Sequence, residues 1–549
     1  MQETQFNERR LIMKTFYVNG TILTMEEDAL YAEAVCVEDG RIKAVGTEKE
    51  ILKLKKEEDE IVDLEGKTML PGFIDGHSHF AGTANSMTQC DLTNCTSFQE
   101  IIDAMKDFKE KRELSDDAWI VGCNYDHNFL QEERHPDRFV LDKISETNPV
   151  LLVHASSHMG VTNSQGLKLQ GIDEKAEDRP DGRYGRVEGT NTPNGYMEEK
   201  VFLEFQSKLP MTSLEELMHL MVEAQHLYAS YGITTVQDGM VGKPLFQLLK
   251  AAAEMGILKL DIVGYVDIMT ATDLMEQRNP YVGNYEKHLK LGGYKVFLDG
   301  SPQGKTAWML EPYEGETEYC GYPIHSNETL RGYIETALDE GQQLLAHCNG
   351  DAAAEQYVSQ FEQALEARGQ KESYRPVMVH AQLVRKEQLE RMKKLGMMPS
   401  FFIAHTYYWG DIHRKNFGME RASRISPAKD ALDCGLKFTF HQDSPVVPPD
   451  MMRTVSCAVN RVTKSGQVLG EEEKISVLEA LKAITVYGAY QYHEEEIKGT
   501  IAVGKNADFV VLEKNPLEAD KEHLADIPVL LTIKENQIVY RRGEEHESA

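Results

Sequence analysis

The stretch Leu70-Pro71-Gly72-Phe73-Ile74-Asp75-Gly76-His77-Ser78-His79 sets two imidazoles one residue apart at the end of a short apolar run. Alternate residues of a strand point to one face, so His77 and His79 can offer ring nitrogens to a single point where the strand ends. A divalent metal suits that point; for His-x-His alone, two polar residues closing a strand is the plainer reading. Downstream, Lys295 in KVFLDG, His347 in AHCNGD, His380 in VMVHAQ and Asp443 in FTFHQDSP follow in an order that suits a barrel gathering ligands from several strands.

Each of these has its own plainer reading. Lys295 reads as a barrel-mouth residue facing water, His347 and His380 as satisfied core histidines behind three apolar residues, and Asp443 as a helix cap beside Ser and Pro. A buried amine held neutral can, however, add carbon dioxide and become a carbamate able to bridge two cations. Four neutral imidazoles, a carboxylate and a carbamate together make an N/O donor set for zinc or another divalent transition ion. Asp299 and Ser301 in DGSPQGKTA, with Asp75 and Asp351, read as turn residues or partners orienting the ligands.

The elements that position these residues follow from the chain's periodicity. Between about Leu70 and Tyr492, short apolar runs alternate with longer amphipathic segments, the pattern of a parallel sheet with helices outside. Strands are expected at 73–77, 150–155, 233–239, 295–300, 343–348, 377–381, 397–402 and 437–443, eight in all, which favours a closed barrel over an open doubly wound sheet. The fold class is therefore α/β, a (β/α)8 TIM barrel over 70–492. Residues 13–69 and 493–545 alternate β-branched residues around tight turns, Asp39-Gly40 among them, and neither block suffices for its own sheet. They are expected to combine into one small β-sandwich domain. Residues 173–200 are rich in Gly, Asp, Asn and Pro; this turn-dense insertion reads as a surface loop or, following a strand's carboxyl end, as a lid on the pocket.

Composition excludes several classes. The 549 residues carry a formal charge of −30 and no basic stripe, which argues against nucleic acid. No apolar run approaches the ~20 residues of a membrane helix, and Met1 to Arg10 lacks the apolar centre of a secretory signal. Eight dispersed cysteines without C-x-x-C pairs suit reduced thiols, and the protein is expected to be soluble and cytoplasmic, with a homodimer as the default assembly. Strand-like alternation begins at Met13, which leaves open whether the first twelve residues are an extension or Met13 is the effective start.

LPGFIDGHSH, KVFLDGS, AHCNGDAA, VHAQ, HQDSPV and the terminal GTIAVGKNADFVVL resemble the amidohydrolase superfamily, specifically its amidohydrolase-3 branch, often called YtcJ-like, which includes N-substituted formamide deformylases. The resemblance spans nearly the whole chain and implies the barrel, a composite β-sandwich and a mono- or dinuclear metal site. By motif, His77, His79 and Asp443 would hold one metal and His347 and His380 the second, with carboxylated Lys295 between them. PVLLVHASSHMGVTNSQGL resembles a segment of the same branch and makes His158 and Asn163 pocket residues. Two departures concern the substrate: Gln442 stands where a small residue is expected, and Asn124-Tyr125-Asp126 where the branch often carries tryptophan.

The expected chemistry is hydrolysis of a small-molecule carbon–nitrogen bond by a metal-activated hydroxide. Asp443 would take the proton of the hydroxide and return it to the leaving nitrogen, and His158 would be a second donor to the oxyanion. MMPSFFIAHTYYWGD (397–411), with His405 inside it, and Trp308 place aromatic groups around the barrel top; more often core than pocket, they suggest an apolar or aryl substituent on an N-substituted amide or formamide. A deaminase or cyclic amidase on the same barrel is the first competing reading; Lys295 argues against it, since a one-metal deaminase needs no bridging lysine. A barrel without catalysis, serving regulation, is the second, and the six filled ligand positions argue against that.

Overall fold

A computed structural model describes residues 13–154, 159–179, 182–210, 212–369 and 373–544. The chain divides into two compact units, one built from 1–83 and 221–549, the other from 84–220.

The first unit centres on an eight-stranded sheet, here numbered β1 (Phe73–Ile74), β2 (Ile233–Val241), β3 (Asp261–Asp267), β4 (Leu289–Phe297), β5 (Gln343–Cys348), β6 (Val377–His380), β7 (Met398–Phe401) and β8 (Thr439–Phe440). Each strand pairs in parallel with the next in chain order. The sheet curls: just past β1, the Gly76 N–H donates to the Phe440 carbonyl of β8 at 3.2 Å. Only glycine permits that approach, because a Cβ on residue 76 would lie 2.6 Å from Thr439 Oγ1. Apolar runs such as VMVH, buried along their whole length, are what a parallel strand covered on both faces requires.

Seven of the expected strands join this sheet, and one does not. Val150–His154 belongs to the second unit, and β3 stands in its place. The reason is chemical: β3 is bounded by Asp261 and Asp267, and the Asp261 charge is met by Lys498 Nζ at 2.6 Å and Lys534 Nζ at 2.7 Å, both more than 200 residues away. Glu494 pairs with Lys290 and with Lys498 (2.8 Å), and Asp508 with Lys534 (2.8 Å), so six buried charges neutralise one another. They tie the base of the curled sheet to the terminal strands.

Both chain ends share one six-stranded sheet, in which Thr68–Pro71 runs antiparallel to Phe509–Leu512. A four-stranded sheet, with Lys14–Val18 between Ala34–Glu38 and Glu60–Asp63, comes from the amino-terminal block alone. Tyr17, Val35 and Val37 from the smaller sheet and Met69, Phe509, Val511 and Ile533 from the larger meet in one hydrophobic core.

The second unit is a six-stranded mixed sheet ordered Tyr184–Arg186, Pro193–Glu198, Met159–Thr162, Val150–His154, Ile120–Tyr125, Cys90–Asp91. Separate apolar cores, around Met105, Ile120 and Leu152 and around Leu151, Val153 and Phe202, fill its two faces. That double burial makes VLLVH a continuous apolar run, indistinguishable by periodicity from a barrel strand. The 173–200 segment, read from sequence as a loop or lid, supplies two of the six strands. All eight cysteines are free thiols. No helix among the described residues is long and apolar enough to cross a membrane.

Candidate metal centre

The ends of the curled sheet's strands bring His77, His79 and Asp443 together. His77 Nε2 and His79 Nε2 each lie 3.3 Å from Asp443 Oδ1. Neither histidine is on the strand itself: β1 stops at Ile74, and the pair sits in the turn that follows, with His79 forming an isolated bridge to Asp238. Strand alternation therefore does not aim them; β2 does. His77 Nδ1 is 2.5 Å from Gln237 Oε1, and His79 Nδ1 is 3.1 Å from the Gly239 carbonyl. The Gln237 amide is oriented by its own N–H groups, which donate to the Gly76 carbonyl (3.0 Å) and to Tyr492 (3.1 Å).

An amide or carbonyl oxygen only accepts, so both Nδ1 atoms carry the proton and both Nε2 atoms present lone pairs. Those lone pairs face a carboxylate oxygen. Burial and the neighbouring Lys295 push His77 down to about 4, so it stays neutral near pH 7. On His79 burial acts against protonation, but the Asp443 carboxylate outweighs it and the shift is upward. A proton on either Nε2 would make that ring a donor to Asp443, and this competing form is what holds the Asp443 carboxyl well below the ordinary carboxylate range against its burial. Two lone pairs and an anion around one point fit a cation, and these residues therefore suit the divalent metal expected from the sequence.

The other expected ligands close on the same place to different degrees. Lys295, near the end of β4 rather than at its start, is fully buried with Nζ 3.3 Å from His77 Nε2. Burial pushes its amine down to about 7. His380 Nε2 is 3.9 Å from Asp443 Oδ2, and neither of its ring nitrogens has a hydrogen-bond partner among the described residues. His380 and Asp443 both adopt left-handed backbone, φ 71° and 55°, a strained conformation for non-glycine residues that recurs at functional sites. His347 meets His380 ring to ring, with centroids 4.4 Å apart, while its nitrogens face Asp299 Oδ1 (3.2 Å) and Asn349 Nδ2 (3.3 Å).

The supporting aspartates do separate tasks. Asp299 gathers the backbone N–H groups of Trp308, Asn349 and Gly350. Asp351 accepts from the Leu310 N–H and from Arg385. Asp75 is buried beneath His77, whose N–H it accepts, and burial pushes its carboxyl well up.

Of the expected pocket residues, His405 is buried with its ring 4.5 Å from both Phe402 and Trp409, and its Nδ1 is 2.9 Å from His413 Nε2. Trp308 is half-buried, its N–H given to Asp299. Asn163 lies in the second unit and caps the helix Ser164–Leu169; its side chain accepts from Val150 and Gly166 and donates to the Asn148 carbonyl. With that amide committed inside its own segment, Asn163 is placed as a scaffold residue. His158 falls outside the described residues.

Sequence reasoning passed over His441. It is buried, its ring lies 5.2 Å from His77 and 5.1 Å from His380, and neither of its nitrogens has a hydrogen-bond partner among the described residues. The signal was present, since His441 precedes Asp443 by two residues in HQD, the same spacing as His77 and His79. Gln237 carried no such signal, because its role comes from contacts 160 residues away.

The Amidohydrolase family model matches residues 60–540. The putative amidohydrolase YtcJ of Bacillus subtilis is 29% identical over 545 residues, covering 97% of this chain and 100% of that protein. The N-substituted formamide deformylase of Arthrobacter pascens is 26% identical over 542 residues, covering 96% and 98%. Among solved structures, an uncharacterized metal-dependent hydrolase from Pyrococcus furiosus superposes with a TM-score of 0.72 at 26% identity, covering 92% of this chain and 100% of that one.

Proposed function

The chain belongs to the amidohydrolase family, and from that premise we propose that this metal-dependent hydrolase cleaves a carbon–nitrogen bond in a non-peptide amide, with N-substituted formamides as the substrate class. The observation that carries the reading is the pair of tautomer-locked Nε2 atoms, both 3.3 Å from Asp443 Oδ1. His77, His79 and Asp443 would hold one ion, His380 with His347 a second, and Lys295, as its carbamate, would join them. A bound divalent ion such as zinc lowers the pKa of its water towards ~7 and polarises a carbonyl.

The remaining steps belong to side chains. Asp443, ionised at neutral pH, takes the proton of the attacking water on a carboxylate oxygen and delivers it to the leaving nitrogen, a role typically contributing ~10²- to 10⁴-fold. Lys295, with its amine pushed to about 7, keeps a neutral fraction able to add carbon dioxide. The rings of Phe402, His405 and Trp409, packed against one another, would offer an apolar wall to the substituent on nitrogen.

A panel of N-substituted formamides, longer N-acyl amides, cyclic amides and amidines tests the substrate class. Release of formate and a free amine in equal amounts is the expected result. Ammonia release from amidines with no formamide turnover would replace this reading with the deaminase one.

A further inference from the structure

The second unit holds another cluster of metal-ligating side chains, and none of its residues belongs to the set described above. Two adjacent parallel strands, Ile120–Tyr125 and Val150–His154, pair Tyr125 with His154 at their carboxyl ends. Asp126 and His127 follow directly on the first strand, and His154 closes the second. Their donor atoms form a compact triangle: His127 Nδ1 to His154 Nε2 is 3.3 Å, His154 Nε2 to Asp126 Oδ1 is 3.5 Å, and His127 Nδ1 to Asp126 Oδ1 is 3.7 Å. Ligands at about 2.1 Å around a tetrahedral zinc ion stand roughly 3.4 Å apart, so the three edges match a single ion's coordination face.

The surroundings hold the triangle in shape. The Tyr125 hydroxyl meets His135 Nδ1 at 3.1 Å, and the His135 ring lies 3.9 Å from His127 and 4.7 Å from Tyr196, closing one side with aromatic carbon. Asn124, two residues before Asp126, takes left-handed backbone (φ 66°) and donates to Asp91, at a register irregularity between Gly122 and Tyr125 just before the strand ends beside His154. Burial pushes His154 downward against the pull of Asp126, favouring the neutral ring that a ligand needs. Two imidazoles and a carboxylate with a fourth position for solvent or a ligand atom are the donor set of open zinc-type sites.

We infer that Asp126, His127 and His154 form a binding site for a divalent transition ion of the zinc class, separate in sequence and in compact unit from the His77–His79–Asp443 centre.

The test uses the full chain carrying His77→Ala, His79→Ala, His347→Ala and His380→Ala, which removes the histidine donors proposed for both ions of the first centre. Equilibrium dialysis against zinc, and against cobalt with its visible spectrum recorded, should still give one chelator-sensitive ion with a tetrahedral-type cobalt spectrum. Adding Asp126→Asn, a near-isosteric change, should weaken that ion at least ~10-fold, and adding His127→Ala should abolish it. Circular dichroism of each variant separates loss of a ligand from loss of the fold. A folded chain lacking the four first-centre histidines that binds no ion, or bound metal unchanged by Asp126→Asn and His127→Ala, would overturn the inference.

Discussion

His77 Nε2 stands 3.3 Å from Asp443 Oδ1 with its lone pair towards the carboxylate, because Gln237 Oε1 holds the ring's only proton at Nδ1. Across 366 positions of sequence this is a contact between two acceptors, and a cation turns it from a liability into a coordination edge.

If Gln237 sets the tautomer, Gln237→Leu should release it. Metal affinity is expected to fall ~10- to 100-fold, whereas Gln237→Glu, which keeps an acceptor, should retain most of it. Competition with a chelator of known strength measures both; equal affinity in the wild type and Gln237→Leu would remove the tautomer from the account.

Gly239 presses on the same rings. A Cβ there would lie 2.8 Å from His77 Cε1 and 3.3 Å from His79 Cε1. Gly239→Ala should displace both histidines, lower metal occupancy and cost about 1–3 kcal/mol of stability. Metal content and urea unfolding of the variant are the readouts, and unchanged metal content would show that the rings have room to move.

Lys295 is expected to act as a carbamate. Metal-free protein freed of carbon dioxide should recover activity with zinc faster when bicarbonate is present, and Lys295→Met should lose that dependence together with at least ~10²-fold of the activity. Reconstitution at the same rate with and without bicarbonate would leave Lys295 as a buried amine and favour the one-metal deaminase reading.

The buried charge cluster gives stability a defined pH profile. Asp261 is fully buried, which raises its carboxyl, but Lys498 and Lys534 outweigh this and hold it well below the ordinary range; Glu494 is lowered in the same way. For groups with lowered folded values, the stabilisation is present above the ordinary value of about 4 and is lost as pH falls through the folded value. Lys534 is raised by Asp261 and Asp508 against its burial, so its contribution holds below about 10.4 and is lost only as pH rises through its higher folded value. Urea unfolding should therefore show stability falling steeply below about pH 4. Lys534→Met, which leaves Asp261 and Asp508 short of a cation, should cost about 3–5 kcal/mol at neutral pH. A loss below ~1 kcal/mol would mean that the cluster behaves like exposed ion pairs.

Legibility followed the range of the interactions. Apolar runs ending in His, Lys or Asp revealed β4 to β8 and the positions proposed to ligate metal, because a doubly buried strand needs such a run and its polar terminus stands out. β3 was hidden because Asp261 and Asp267 break the apolar pattern, and Asp261 is tolerated only through Lys498 and Lys534, which sequence proximity cannot reveal. VLLVH misled for the opposite reason, since burial on both faces looks the same in either unit's sheet. At the site, His77, His79 and Asp443 could be read from residue type and spacing, while Gln237 and Gly239, which aim the rings, are ordinary residues given meaning by the fold. His441 was readable from its two-residue spacing to Asp443, the same spacing as His77 to His79.

The most direct test of the metal centre is to record bound metal and formamide hydrolysis together, in one dialysis series, for the wild type, His79→Ala and Asp443→Asn. The expected result is that wild-type metal and activity vanish together under chelation and return together with zinc, while both variants bind less metal than the wild type, keeping only ions held outside the His77–His79–Asp443 centre, and stay inactive. Full hydrolysis by metal-free wild-type protein, or wild-type metal content in both variants, would contradict the central claim.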